Sequence, residues 1–259
     1  MKIGVFDSGL GGLWVLKHIR ELMPEYDYVF FADQAYVPYG NKTKEQLFER
    51  ATKIFKHLYE VEDCAVILIA CNTNSTSIYA DLKTWAKENY PERQLWGIVK
   101  PTIENINAKK DIVFFGTHRT IDSHIYKTES ENYGLENVLE IELPELATMI
   151  EEGKDCGEYI KSFNPNLAIG QTYGCGVLVC THYGIVRENF KKAYPEIKNW
   201  VYQEDLLPPY IQNYFSKHPD KEGQLSHNAT LRVLVSKESL VFKHFLGEWF
   251  DADCSIIDL

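Results

Sequence analysis

The stretch Cys64-Ala65-Val66-Ile67-Leu68-Ile69, running into Ala70-Cys71-Asn72-Thr73, decides how this chain is read. Its apolar part is short, rich in branched residues and bounded by polar ones, so it predicts a buried parallel strand that ends by presenting Cys71 to a crevice. The arrangement occurs a second time. Gly176-Val177-Leu178-Val179 leads into Cys180-Thr181-His182-Tyr183, again an apolar strand emptying into a cysteine followed by hydroxyl and polar groups. The two cysteines are too far apart for one local motif, so they are expected to face each other across a cleft between two similar halves.

Outward from these two points the chain alternates strands and helices. Residues 2–6 predict a first strand, and Asp7-Ser8-Gly9-Leu10-Gly11-Gly12 a glycine-rich turn into a helix over 13–22. Such a turn aims backbone N–H groups and a positive helix end at one point, which suits a carboxylate or phosphate. It has neither the G-x-G-x-x-G spacing nor the lysine of a P-loop, so no nucleotide site is expected. Residues 27–32 predict a second strand, followed by Asp33 and the shaped loop Val37-Pro38-Tyr39-Gly40-Asn41. Helices over 44–59 and 75–89 flank the Cys71 strand, and 94–99 is a further strand. The pattern then restarts. A strand over 111–115, the turn Gly116-Thr117-His118-Arg119-Thr120 and a helix toward 133 are followed by a strand over 138–143 and a helix ending at Glu151-Glu152. A helix over 157–163 and a loop over 164–175 lead to the Cys180 strand. Helices over 185–194, 205–215 and 237–250 and strands over 198–202, 231–235 and 255–257 complete the chain. This alternation predicts an α/β fold of parallel sheets with helices on both faces. Ligands in such sheets sit at the carboxyl ends of strands, which puts Asp7, Asp33, Cys71, Thr117 and Cys180 on one side.

Composition narrows the function. The chain has 259 residues, 45% hydrophobic and 25% charged, with a formal net charge of −10. That acidity, without a basic patch, argues against nucleic acid or an anionic membrane as partner. No apolar stretch approaches a membrane span and no signal peptide is recognisable, so a cytoplasmic protein is expected. Six cysteines at 64, 71, 156, 175, 180 and 254 are too sparse for a disulfide scaffold. Cys64 and Cys254 read as core thiols, and Cys156 as an exposed or helix-edge one. Cys180-Thr181-His182 has no Cys-x-x-Cys partner and no H-E-x-x-H occurs, so no metal site is expected. His182 either braces the strand end or polarises the Cys180 thiol. A Cys-His hydrolase would use one of the cysteines and leave the other without a role.

Four motifs, Asp7-Ser8-Gly9-x-Gly11-Gly12, Val37-Pro38-Tyr39-Gly40-Asn41, Ala70-Cys71-Asn72-Thr73 and Cys180-Thr181-His182-Tyr183, together with Thr117-x-x-Thr120, Ser123 and Tyr126, stand in the order and spacing of the glutamate racemase family. The chain resembles that family over almost its whole length. The resemblance implies two pseudosymmetric doubly wound parallel-sheet domains, 1–97 with 206–259 and 98–205, and an active site in the cleft between them. It implies a racemase without a cofactor, supplying D-glutamate for peptidoglycan, and a homodimer. Two cysteines act on opposite faces of the substrate α-carbon in that family. By similarity Cys71 acts on the D-isomer with support from Asp7, and Cys180 on the L-isomer with support from Glu151 and His182. Ser8, Tyr39, Gly40, Asn72, Thr73, Thr117 and Thr181, with Asp7 and His182, are the implied substrate-binding residues. The alternatives are a racemase of another acidic amino acid such as aspartate, which His182 disfavours because by resemblance the aspartate enzymes usually carry an acid there, and a non-catalytic binding protein on the same fold. The chain departs from the family pattern at Gln34, Asn74, Lys100, Val179, Gly184-Ile185 and around Gln203-Glu204-Asp205.

Overall fold

The computed structural model describes residues 1–163 and 172–259; residues 164–171 of the loop expected over 164–175 lie outside them. In chain order the first half holds β1 (Lys2–Asp7), α1 (Leu10–Leu22), β2 (Tyr28–Ala32), a 3-10 turn (Tyr39–Asn41), α2 (Lys44–Glu60), β3 (Cys64–Ile69), α3 (Asn72–Ser77), α4 (Tyr79–Asn89) and β4 (Gln94–Gly97). After α5 (Val99–Glu104) come β5 (Lys110–Gly116), α6 (His118–Asp122), α7 (Ile125–Asn132), β6 (Glu136–Glu142), α8 (Leu146–Glu151), α9 (Gly157–Ser162) and β7 (Cys175–Leu178). A 3-10 segment (Thr181–Val186), α10 (Arg187–Ala193) and β8 (Trp200–Val201) follow, then α11 (Gln203–Lys217), α12 (Pro219–Glu222), β9 (Leu231–Val235), α13 (Leu240–Phe250) and β10 (Cys254–Ile256).

All strand pairs of the two sheets are parallel. The larger sheet has the order β10-β9-β2-β1-β3-β4 and the smaller β6-β5-β7-β8. Removing β9 and β10 leaves β2-β1-β3-β4, which is the order of the smaller sheet with every number lowered by the same amount. Thus β3 and β7 are equivalent strands of two pseudosymmetric units, and the ends of β1 and β3, and of β5 and β7, are the switch points where ligands bind.

Strand β3 is buried along its whole length because it lies between two apolar layers. Val66, Leu68 and Ala70 face one core, and Ile67, Ile69 and Cys71 the other. In the smaller sheet Leu178 and Cys180 face one core while Val177 and Val179 face its opposite. Since side chains alternate along a strand, each cysteine continues the parity of the last residue of its strand, two positions beyond it.

Several boundaries differ from expectation for identifiable reasons. Helix α1 begins at Leu10 rather than three residues later, since Gly11 and Gly12 belong to its first turn. A Cβ at Gly11 would lie 2.3 Å from Thr181 Oγ1, and one at Gly12 2.2 Å from Asp7 Cβ, so these glycines serve close approach. The single helix expected over 75–89 is divided into α3 and α4 at Ile78. That expected after Thr120 is divided at His124, which has a positive φ. Cys156 stands at a helix edge, as the residue before α9, but its thiol is buried in the core under the smaller sheet and not exposed. Among the described residues no helix is long and apolar enough to cross a membrane.

Candidate active site

A cavity of about 560 Å³ opens where the carboxyl ends of the two sheets meet. Cys71 and Cys180, Asp7, Glu151 and His182 all line it, as do Ser8, Tyr39, Gly40, Asn72, Thr73, Thr117 and Thr181. Val37, Pro38, His118 and a wall from Pro144 to Lys154 complete the lining, and of that wall only Glu151 was foreseen from the sequence.

Asp7 ends β1 fully buried. Its Oδ1 accepts the N–H groups of Ser8 at 2.5 Å and Gly9 at 3.2 Å and the Ser8 hydroxyl at 3.2 Å. Its Oδ2 accepts the hydroxyl of Thr181 at 3.0 Å, which joins the two sheets beneath the cavity. Burial raises the Asp7 carboxyl above the ordinary range, although His182 and these donors oppose the rise. The Cys71 thiol is also pushed well above its usual value, first by burial and then by the charge of Asp7.

The other cysteine has different neighbours. Cys180 Sγ lies 3.8 Å from His182 Nδ1, and His182 Nε2 is 2.6 Å from Glu151 Oε1. Burial alone would lower the imidazole, but the hydrogen bonds to Cys180 and Glu151 outweigh it and hold His182 well above its ordinary value. Burial likewise works to raise Glu151, yet the His182 imidazole, the Leu10 N–H and Gln34 bring it below the usual range. A protonated His182 donates from both ring nitrogens at once, to a carboxylate on one side and to the Cys180 sulfur on the other. One cysteine is therefore next to an acid in a dry pocket and the other next to a cation.

The glycine-rich turn does not hold its N–H groups free for a ligand. Gly9 N–H and Ser8 N–H are taken by Asp7, and Leu10 N–H donates to Glu151 Oε1 at 2.6 Å. Glu151, at the end of α8, thus caps the start of α1 from across the cleft, and Gln34 Nε2 adds a third donor at 3.1 Å. Tyr39 likewise points its hydroxyl at Asp33, 2.7 Å away, and Arg50 clamps the same carboxylate at 2.6 and 2.9 Å. On the facing side Thr117 caps α6 and its hydroxyl is 3.3 Å from that of Thr73. Arg119 reaches back across the mouth to the carbonyl oxygens of Gly40 and Lys42. Gln34 and Arg119 escaped the sequence reading of the site because their partners are remote in sequence; for Gln34 the only signal was its departure from the family pattern.

No protein-family model matches the chain. Among curated proteins it is 33% identical over 250 residues to a glutamate racemase of Persephonella marina, covering 94% of this chain and 91% of that protein. A glutamate racemase of Fusobacterium nucleatum is 36% identical over 198 residues, 74% of this chain and 73% of its own. Among solved structures, the fold matches glutamate racemase from Francisella tularensis in complex with D-glutamate with a TM-score of 0.84, 22% identity and coverage of 99% and 97% of the two chains. With 33% identity to the Persephonella marina protein sustained over 94% of its length, the chain belongs to the glutamate racemase family.

Proposed function

We propose that the protein interconverts L- and D-glutamate without a cofactor, by proton transfer at the α-carbon between Cys71 and Cys180. The observation that carries this reading is that two equivalent strands deliver a cysteine each to one cavity, one beside a buried acid and the other beside an imidazole held protonated. An amino-acid α-proton is weakly acidic. With no electron sink, its removal depends on exclusion of water and on donors placed around the carboxylate where charge develops. Asn72, Thr73 and Thr117 present such polar groups to the cavity, while the hydroxyls of Ser8 and Thr181 hold Asp7 in place.

In the L-to-D direction the Cys180 thiolate, facing the His182 Nδ1–H, takes the α-proton and becomes a thiol. The Cys71 thiol gives its proton to the opposite face and becomes a thiolate, so configuration inverts and no electrons are gained or lost. The roles reverse for the D-isomer. After one turnover the proton has moved between the cysteines, and Asp7 on one side and Glu151–His182 on the other are the groups placed to restore it. Product D-glutamate would serve peptidoglycan synthesis. The membership of the strands supports treating 1–97 with 206–259 and 98–205 as two domains.

The test is proton NMR of the protein with L-glutamate or D-glutamate in D₂O, with L-aspartate and L-alanine in parallel. Loss of the α-proton signal from both glutamate isomers, with optical rotation decaying to zero, is expected. Exchange confined to another amino acid, or none at all in folded and reduced protein, refutes the reading.

A further inference from the structure

Behind Cys71 lies a buried polar cluster that the proton-transfer scheme does not use. Asn72, Thr102, Tyr126 and Gln203 are 3%, 0%, 0% and 1% exposed, and they come from four different elements. Gln203 stands at its centre. Its Oε1 accepts from Asn72 Nδ2 at 2.7 Å, while its Nε2 lies 3.0 Å from Asn72 Oδ1, 3.0 Å from Thr102 Oγ1 and 3.1 Å from the Tyr126 hydroxyl.

The direction of each proton is determined. The Thr102 hydroxyl donates to the carbonyl of Ile98 at 2.7 Å, and the Tyr126 hydroxyl donates to Asn72 Oδ1 at 2.5 Å. Each has a single hydrogen to give, so toward Gln203 both must act as acceptors. Gln203 must therefore turn its amide nitrogen to them and its oxygen to Asn72. This in turn sets the amide of Asn72, with its oxygen held by Tyr126 and Gln203 and one of its two nitrogen hydrogens held by Gln203. The second hydrogen is left for the cavity that Asn72 lines.

The place of Gln203 in the chain adds to this. The backbone passes from the larger sheet to the smaller through α5, which carries Thr102, and returns into the larger sheet's layers through α11, which begins at Gln203. The same side chain thus ties both crossings to each other and to the residue after Cys71.

We propose that Gln203 is a positioning residue: it fixes the amide of Asn72 for the substrate at the Cys71 end of the cavity and holds the two crossings in register with it. The proposal rests on the racemase reading above. A fully buried network with every member satisfied permits one arrangement only, and a partly satisfied one permits several.

The experiment is a double-mutant cycle on the full chain with Gln203→Ala, Asn72→Ala and both together. It reads kcat and KM for each glutamate isomer, with thermal unfolding measured alongside. Gln203→Ala should lower kcat/KM about 10- to 100-fold where Asn72 is present, the size of effect that misplacing a substrate contact produces. In the Asn72→Ala background it should lower it less than about threefold, because the group it positions is gone. An equal loss in both backgrounds overturns the proposal and leaves Gln203 a stability residue. Should Gln203→Ala not fold, Gln203→Glu takes its place in the cycle. It keeps the size of the side chain but removes both amide hydrogens, which are shared among Asn72, Thr102 and Tyr126, and the same non-additivity is expected. Wild-type protein that exchanges the α-proton of neither glutamate isomer defeats the racemase reading itself, whereas active wild type with an additive cycle defeats only the role of Gln203.

Discussion

Replacing Glu151 by glutamine removes one negative charge from the point where the two sheets are clasped and changes the shape of the site very little. The glutamine carbonyl can take over from Oε1, which accepts Leu10 N–H and His182 Nε2 at 2.6 Å each, and Gln34 can turn its own amide to meet the new NH₂ group. What is lost is the difference between a hydrogen bond to a charged group, about 1.5–3 kcal/mol, and a neutral one, about 0.5–1.5 kcal/mol. The expected cost is therefore about 1–2 kcal/mol, which for a chain of this size corresponds to a fall of about 2–8 °C in the unfolding midpoint.

The dependence on pH makes the prediction specific. Glu151 is lowered from 4.5 on folding, so its contribution is present above that value and is lost as pH falls through the lowered one. His182 is raised well above 6.5, so its contribution is complete below 6.5 and is lost only as pH rises through the raised value. Both hold in full between 4.5 and 6.5. Thermal unfolding of wild type and Glu151→Gln should thus differ most near about pH 6, and the curves should converge as alkali discharges His182. A midpoint difference that is absent at about pH 6, or that stays constant into alkali, refutes the ion pair as the source of the stabilisation.

The other expectations concern single side chains. Cys71→Ala and Cys180→Ala should each remove racemisation in both directions by about 10²–10⁴-fold or more, the scale of a positioned acid or base, as followed by polarimetry; dependence on only one cysteine would point to a hydrolase-like site. Asn74 is fully buried and neither its Nδ2 nor its Oδ1 has a partner among the described residues, so Asn74→Ala should raise stability by about 1 kcal/mol in urea unfolding. A Cβ at Gly184 would lie 2.5 Å from Glu204 Oε1, and Gly184→Ala should destabilise by about 1–3 kcal/mol in the same assay. Gln34→Ser removes a donor to Glu151 without touching the cavity lining, so α-proton exchange should slow by one factor for glutamate and for any slower acid alike, and a changed preference between acids would contradict this.

The parallel α/β alternation was legible because most strands are short apolar runs bounded by turn residues, and because the Cys71 and Cys180 runs are built alike; the order of the strands was not read from the sequence. The cavity lining followed from the rule that ligands meet strand ends, with the family's motifs naming the individual residues. Helix starts were less legible, since glycine is read as a turn former while Gly11 and Gly12 are needed inside α1 for contact with Thr181 and Asp7. The destination of the N–H groups in that turn was hidden for a related reason. Nothing local says that Glu151, 141 residues from Leu10, supplies the carboxylate. Cys156 was misplaced because its polar neighbours suggested exposure, whereas its thiol turns into the core beneath the smaller sheet.

The departures from the family pattern look different once their partners are known. In the sequence Gln34, Gly184, Gln203 and Glu204 stand only as departures from the family pattern. In the structure they meet groups that the cavity wall depends on, or one another. Gln34 donates to Glu151, Gln203 holds Asn72, and Gly184 leaves room for the carboxylate of Glu204. None of the four lines the cavity. They lie one layer behind it, where a side chain alters the proton affinity or the orientation of a lining residue and not the space a substrate occupies. Burial raises the Glu204 carboxyl, and Arg187, 3.5 Å from it, supplies the compensating charge from the neighbouring helix. The Glu204 carboxylate occupies the space that a Cβ at position 184 would enter, so these two departures, far apart in sequence, meet in the structure. Gln34 and Gln203 therefore reach the cavity only through Glu151 and Asn72, which themselves line it.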